Sequence, residues 1–158
     1  NLDHPMRRKD RERGEEFALN VLESCPYAVF ATVNEDGSPY CIPVTPVYCA
    51  GAVYFHCAPK GHKIRNIHKN PQVCLCCADG VEDIPEHFTT AYQSCVIFGR
   101  AELVDNEEEK IMALRKLCEK HAASNIGQFV REIARSLSRT AICKITIERI
   151  TGKQKEKK

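Results

Sequence analysis

Two side chains able to carry positive charge follow a glycine where an apparent strand gives way to a helix, in Tyr54-Phe55-His56-Cys57-Ala58-Pro59-Lys60-Gly61-His62-Lys63. A helix N-terminus presents free N–H groups and partial positive charge, which together favour a phosphate. His62 and Lys63 in that first turn would add charge-assisted hydrogen bonds. Without an anion, like charge at the positive end of a helix is mildly unfavourable. Lys63 has no acid at helical spacing: Asn66 and Ile67 lie three and four residues on, and Lys60 three before. The competing reading of the segment is an exposed, solvated turn.

The remaining reactive residue types point less clearly to chemistry. The chain has 10 cysteines, and Cys41, Cys57, Cys74, Cys76, Cys95 and Cys143 lie within strand-like runs, where cysteine packs as a small hydrophobe. Cys74-Leu75-Cys76-Cys77 contains a CxxC, but strand alternation sends Cys74 and Cys77 to opposite faces, which suits neither zinc nor a redox dithiol. No metal site is expected. His68 and His121 fall on helix faces as structural residues, and His87 stands beside Phe88 before a long strand. There is no HExxH, paired-carboxylate or nucleophile-elbow pattern.

The elements that must position the Tyr54–Lys63 segment are mostly strands joined by hairpins. Phe17, Val21 and Leu22 give a helix over residues 10–24, stopped by Pro26. A strand over Tyr27–Val33 meets Asp36-Gly37, a strong hairpin signal. Ser38–Cys49 returns with Tyr40, Ile42, Val44, Pro46 and Tyr48 at period two. Pro39, Pro43 and Pro46 remove ladder donors, so this strand is expected to be partly unpaired, with backbone groups free for a ligand, or to be a plain edge strand. Strands over 52–57, 72–78, 89–104 and 140–150 follow, with a bend at Gly99, a helix over 59–70, and a polar loop over 80–86. Amphipathic helices are predicted from Glu107 and over 125–138. That is six strands without βαβ alternation, an α+β or mainly β fold best closed as a small antiparallel barrel.

At 158 residues the chain reads as one domain, with residues 1–9 and 153–158 as flexible tails. Lys plus Arg total 23 and Asp plus Glu 21, without a basic recognition face, so no nucleic-acid partner is expected. No apolar run approaches a membrane span of roughly 18 residues. The charged start is followed by no apolar core, so a soluble, cytoplasmic protein is expected.

Gly37-Ser38-Pro39-Tyr40, the Tyr54–Lys63 segment and Ile67-x-x-Asn70-Pro71, taken in order, resemble the FMN-binding split-barrel superfamily of pyridoxamine 5′-phosphate oxidases. Met6-Arg7-Arg8-Lys9-Asp10, Phe55-His56-Cys57-Ala58, Gly61-His62-Lys63, Ser94 to Gly99 and Ile150-Thr151-Gly152-Lys153 resemble its nitroimidazole-resistance branch. The resemblance implies a six-stranded antiparallel split β-barrel of Greek-key type with flanking helices, holding FMN between the subunits of a homodimer. It places Ile42 to Val47, including Val44 and Thr45, along the flavin ring, Phe55 and His56 at the phosphoribityl chain, His62 and Lys63 at the phosphate, and Ser94 at the flavin.

Three departures limit what carries over. Pyridoxamine phosphate oxidases have Arg-Lys where this chain has His62-Lys63, and Arg where it has Ile42; they also have a C-terminal Trp, and this chain has none. Vitamin oxidation is therefore not expected. The implied activity is FMN-dependent reduction of small oxidised organic molecules such as nitroaromatics, with an electron donor arriving from solvent and His62 as candidate proton donor. The alternative is a flavin- or haem-binding module, a store or sensor, without turnover.

Overall fold

One antiparallel sheet accounts for the strand-rich sequence. In the computed structural model, which describes residues 3–158, its strands are β1 (Glu12–Arg13), β2 (Ala28–Val33), β3 (Pro39–Val44), β4 (Val47–Cys49), β5 (Ala52–Cys57), β6 (Gln72–Ile84), β7 (Thr89–Leu103) and β8 (Ala141–Lys155). The helices are α1 (Glu15–Ser24), α2 (His62–Lys69), α3 (Glu107–His121) and α4 (Phe129–Ser136). Hydrogen-bonded neighbours run β3-β2-β6-β7-β8-β5-β4, and β1 adds to the far end of β8. The two ends of that path, β3 and β4, are separated in the chain only by Thr45 and Pro46. The sheet must therefore curl until its edges meet at this corner, giving a barrel with one seam left unpaired. The expected antiparallel α+β split barrel is the architecture observed.

Eight strands replace the expected six. The run over Ser38–Cys49 is broken by Thr45-Pro46 into β3 and β4, and Glu12–Arg13 makes a short pairing with Gly152 and Lys153. The expected polar loop over 80–86 is instead mostly strand. β6 and β7 extend as a long ribbon, with a register shift between Asp79 and Glu82; Val81, Glu82 and Asp83 stand exposed, while Ile84 and Ala91 are buried. The expected helix over 125–138 is α4 flanked by 3₁₀ turns. Of the expected tails, residues 1 and 2 lie outside the described residues, while Lys153–Lys155 end β8, paired to Ser94–Tyr92.

Pro39 and Pro43 do not break the β2–β3 ladder: β3 is a fully paired strand at the edge of the sheet, the second of the two expected alternatives. The hairpin closes through Asn34 N–H to Ser38 O at 2.8 Å and Gly37 N–H to Asn34 O at 2.9 Å, with Gly37 at φ 86°, a three-residue loop with a glycine bulge. Counting from that bonded pair, Tyr40, Ile42 and Val44 exchange hydrogen bonds with β2, and Pro39, Cys41 and Pro43 fall on the alternate pairs. Their backbone groups face the open seam. The prolines thus cost the ladder nothing and strip donors from the free edge, which discourages edge-to-edge pairing.

Alternation decides what fills the barrel. Ala28, Phe30 and Thr32 of β2, Val73, Leu75 and Cys77 of β6, and Cys95, Ile97 and Ala101 of β7 point inward and are buried. Ala18, Val21 and Leu22 of α1 and Ile64 and Ile67 of α2 complete this core. Each fully buried Leu, Ile or Phe is worth about 1.5–3 kcal/mol over exposure. A second cluster forms where Ala113 and Leu117 of α3 cover Val47, Ala52, Tyr54 and Ile142. At Gly99, where β7 slips register against β8, a Cβ would stand 2.2 Å from the Thr146 carbonyl oxygen. The expected bend is there because only glycine allows that approach.

Candidate functional site

The seam defines the candidate site. β4 covers β5 only along Ala52–Tyr54, so the edge of Phe55–Cys57 is open on that side. β3 ends the sheet opposite it. Between these two edges lies a cavity of about 370 Å³, within the range of small-molecule sites. Ile42, Pro43, Val44 and Thr45 form one wall, with Tyr27 at the root of β2; His56, Cys57 and Lys63 form the other. One wall is largely apolar and the other carries the imidazole, the thiol and the ammonium.

Four of the seven expected contacts therefore share one cavity: Val44, Thr45, His56 and Lys63. Phe55 does not; its side chain is 1% exposed and meets Phe30 edge-on at 4.9 Å in the core, because strand alternation turns it inward when His56 turns out. Ser94 stands on β7 opposite Ala78 and Lys153 and does not line this cavity. Ile42, which replaces the family arginine, does.

His62 and Lys63, adjacent in sequence, part company. A helical step of about 100° per residue separates consecutive side chains. Lys63 faces the seam, while the His62 ring stacks on Tyr40 at 3.8 Å and its Nε2 donates to Asn34 Oδ1 at 2.7 Å. Asn34 Oδ1 also accepts from Asn66 Nδ2 at 2.8 Å, and the buried Asn66 donates to the buried Thr32 Oγ1 at 2.9 Å. His62 thus belongs to a network pinning the β2–β3 hairpin to α2, and lines a different cavity with Glu35, Asp36 and Arg65. That direction was not legible from residue order.

The start of α2 has the character that an anion needs. Gly61 sits at φ 142°, no side chain caps the helix, and no acid occupies its first turn. Lys63 has no carboxylate partner among the described residues. Burial pushes the Cys57 thiol up, opposed by the charge of Lys63, so the cavity holds a neutral thiol beside a cation. All ten cysteines are free.

The corner between β3 and β4 is held from outside. The Pro46 carbonyl accepts from Lys120 Nζ at 3.1 Å and from His121 Nε2 at 2.8 Å, both at the end of α3. Thr45, next to it, is thereby fixed at the mouth of the cavity. Sequence reading assigned His121 a structural place but gave no sign of its target. Tyr27 and Cys57 were missed as lining residues; their only signal was their position beside expected strand ends.

On the sheet's outer surface, cross-strand rows bring apolar side chains together. Cys41, Ala31, Cys74 and Phe98 form one row, and Pro43, Val29, Cys76 and Val96 the next. Val29, Ala31, Cys74, Val96 and Phe98 are only partly covered, and Cys41, Pro43 and Cys76 are exposed. Among the described residues, no helix is long and apolar enough to cross a membrane.

Comparison with known proteins agrees with this architecture. A family model described as pyridoxamine 5′-phosphate oxidase matches residues 15–154. No curated protein matches the chain. Among solved structures, a protein of Bacteroides thetaiotaomicron described as a 5-nitroimidazole antibiotic resistance protein is 18% identical, with 96% of this chain and 95% of that one covered at a TM-score of 0.71. A FAD-binding protein of Mesorhizobium loti is 20% identical over 92% and 98% at 0.68. A flavocytochrome of Azotobacter vinelandii is 21% identical over 98% and 73% at 0.73.

Proposed function

We propose that this chain, which belongs to the pyridoxamine 5′-phosphate oxidase family, binds FMN in the seam cavity and reduces small oxidised organic molecules, nitroaromatics among them. The observation that carries the reading is the meeting of Val44, Thr45, His56 and Lys63, from two sheet edges and a helix start, in one cavity. Its walls fit the cofactor's two halves. Ile42, Pro43 and Val44 offer an apolar surface to a planar ring, and the backbone groups of β3 that face the seam offer hydrogen bonds to its edge. Lys63, beside the uncapped start of α2, suits a phosphate. The cavity has one fixed cation and about 370 Å³, which favours one phosphate over the diphosphate and adenosine of FAD.

Bound FMN would supply the electron transfer. The chain's part is to grip the phosphate with Lys63, to keep water from one face of the ring with the β3 wall, and to leave the other face open to donor and acceptor. His62 is no longer the favoured proton donor, since its Nε2 is engaged by Asn34.

A homodimer belongs to the same reading. The rows from Cys41 to Phe98 and from Pro43 to Val96 make an apolar patch on a barrel face that ends at the cavity wall, where Pro43 takes part in both. A patch of that kind is covered most simply by its own copy about a twofold axis. Ser94 lies on that outer surface, away from the cavity of its own chain, and in this reading meets the flavin of the partner.

The test is direct. Purified protein should show flavin absorption and release FMN, not FAD, on denaturation. With a reduced nicotinamide donor it should turn over a nitroaromatic acceptor. A protein that binds neither flavin after reconstitution overturns the reading; binding without turnover leaves a flavin store.

A further inference from the structure

Tyr27 is over half exposed, at 56%, although Cys25, two residues before it, and Ala28, the next residue, are fully buried. An aromatic ring left in water forgoes a large apolar contribution. Its hydroxyl has no hydrogen-bond partner among the described residues. The other large apolar side chains that stand exposed are Val81 and Phe88 on the β6–β7 ribbon and Val130 on α4, away from the seam. Tyr27 alone of this group lines the cavity between β3 and β5. Its place is set by the chain: Pro26 precedes it, and β2 begins one residue later with Ala28 opposite Val44. The ring therefore stands at the root of β2, beside the apolar wall of Ile42, Pro43 and Val44.

We infer that Tyr27 is the aromatic positioning residue of the flavin site, its ring packing against the isoalloxazine while Lys63 holds the phosphate. This rests on the reading of the cavity as an FMN site. An apolar wall alone gives a planar ring a surface but no fixed stacking partner. Offset aromatic packing supplies one, and would take the exposed ring out of water in the loaded protein.

A tyrosine in contact with an excited flavin gives it an electron and takes it back by recombination, which shortens the fluorescence lifetime without net chemistry. The experiment compares the full chain, loaded with FMN, as wild type, Tyr27→Phe and Tyr27→Leu. Phenylalanine packs but does not donate. The bound-flavin lifetime should lengthen several-fold in both variants. FMN affinity should fall about two- to tenfold in Tyr27→Leu and less than twofold in Tyr27→Phe. Unchanged lifetime and affinity in Tyr27→Leu, with flavin still bound, overturn this inference alone. A wild-type protein that takes up no flavin overturns the reading beneath it as well.

Discussion

The carbonyl of Pro46 accepts a 2.8 Å hydrogen bond from the His121 imidazole, tying the last residue of α3 to the corner where the barrel fails to close. Lys120 reinforces it: its ammonium bridges Pro46 O and Leu22 O, both at 3.1 Å. Leu22 is in the last turn of α1, whose carbonyls lack intrahelical partners. One lysine thus joins α1, α3 and the seam, and burial lowers its pKa.

Replacing Lys120 with Met keeps much of the stem but takes the side-chain donor from Leu22 O and leaves Pro46 O with His121 alone. Unfolding free energy should fall by about 1–3 kcal/mol. Thr45 adjoins the released corner, so FMN affinity should fall a few-fold as well. Urea denaturation and a flavin titration measure the two effects; a destabilised protein with wild-type affinity would show that the corner does not position the site.

The phosphate grip makes a sharper distinction. A charge-assisted hydrogen bond is worth roughly 1.5–3 kcal/mol, so Lys63→Ala should weaken FMN binding by about one to two orders of magnitude. Riboflavin, which lacks the phosphate, should be nearly indifferent. Equal weakening of both ligands would make Lys63 a structural residue. His62→Ala should act differently: it removes a bond to Asn34 and should lower stability more than it discriminates between FMN and riboflavin.

The outer face predicts the assembly. Val96 ends one of the apolar rows, between Cys76 and Thr151. A Val96→Lys change buries a charge if two copies meet there and costs little if the face is free. Light scattering should find a dimer for the wild type and a monomer for the variant, with FMN affinity falling in step. A wild-type monomer at micromolar concentration would sink the assembly.

The sequence was most legible where a local rule is strong. Asp36-Gly37 marked the hairpin, Gly99 the bend and Glu107 onwards the start of α3; the cap that the structure adds there is Asn106, whose side chain accepts from Glu109 N–H at 2.8 Å. Legibility failed where direction depends on tertiary placement. Phe55 and His56 are neighbours, and only the barrel decides which of them turns inward. His62 and Lys63 diverge by a helical step, and Tyr40, which claims His62, lies 22 residues away in sequence. Pro39 and Pro43 looked disruptive because the ladder's phase depends on the hairpin loop, and the Asp-Gly signal alone does not fix its length.

Glu109 joins α3 to the sheet, accepting from Lys144 Nζ at 2.9 Å and from Tyr54 Oη at 3.1 Å. The bond to Lys144 holds its carboxyl below the ordinary 4.5, and the same bond raises Lys144 above 10.5. A carboxylate whose folded pKa is depressed stabilises the fold above its unfolded value and loses that contribution as pH falls through the folded one. For Lys144 the sign reverses, and the contribution is lost as pH rises through its folded pKa. The difference in unfolding free energy between wild type and Glu109→Gln should therefore be nearly constant from about pH 5 to pH 9, and should shrink on both sides. Both side chains are somewhat over a quarter exposed, so water screens the pair and the plateau should be about 1 kcal/mol or less. Denaturation midpoints of the two proteins across that range measure it. A difference that persisted unchanged to about pH 2 would mean that the Glu109→Gln variant loses stability through packing, and that the ion pair contributes nothing.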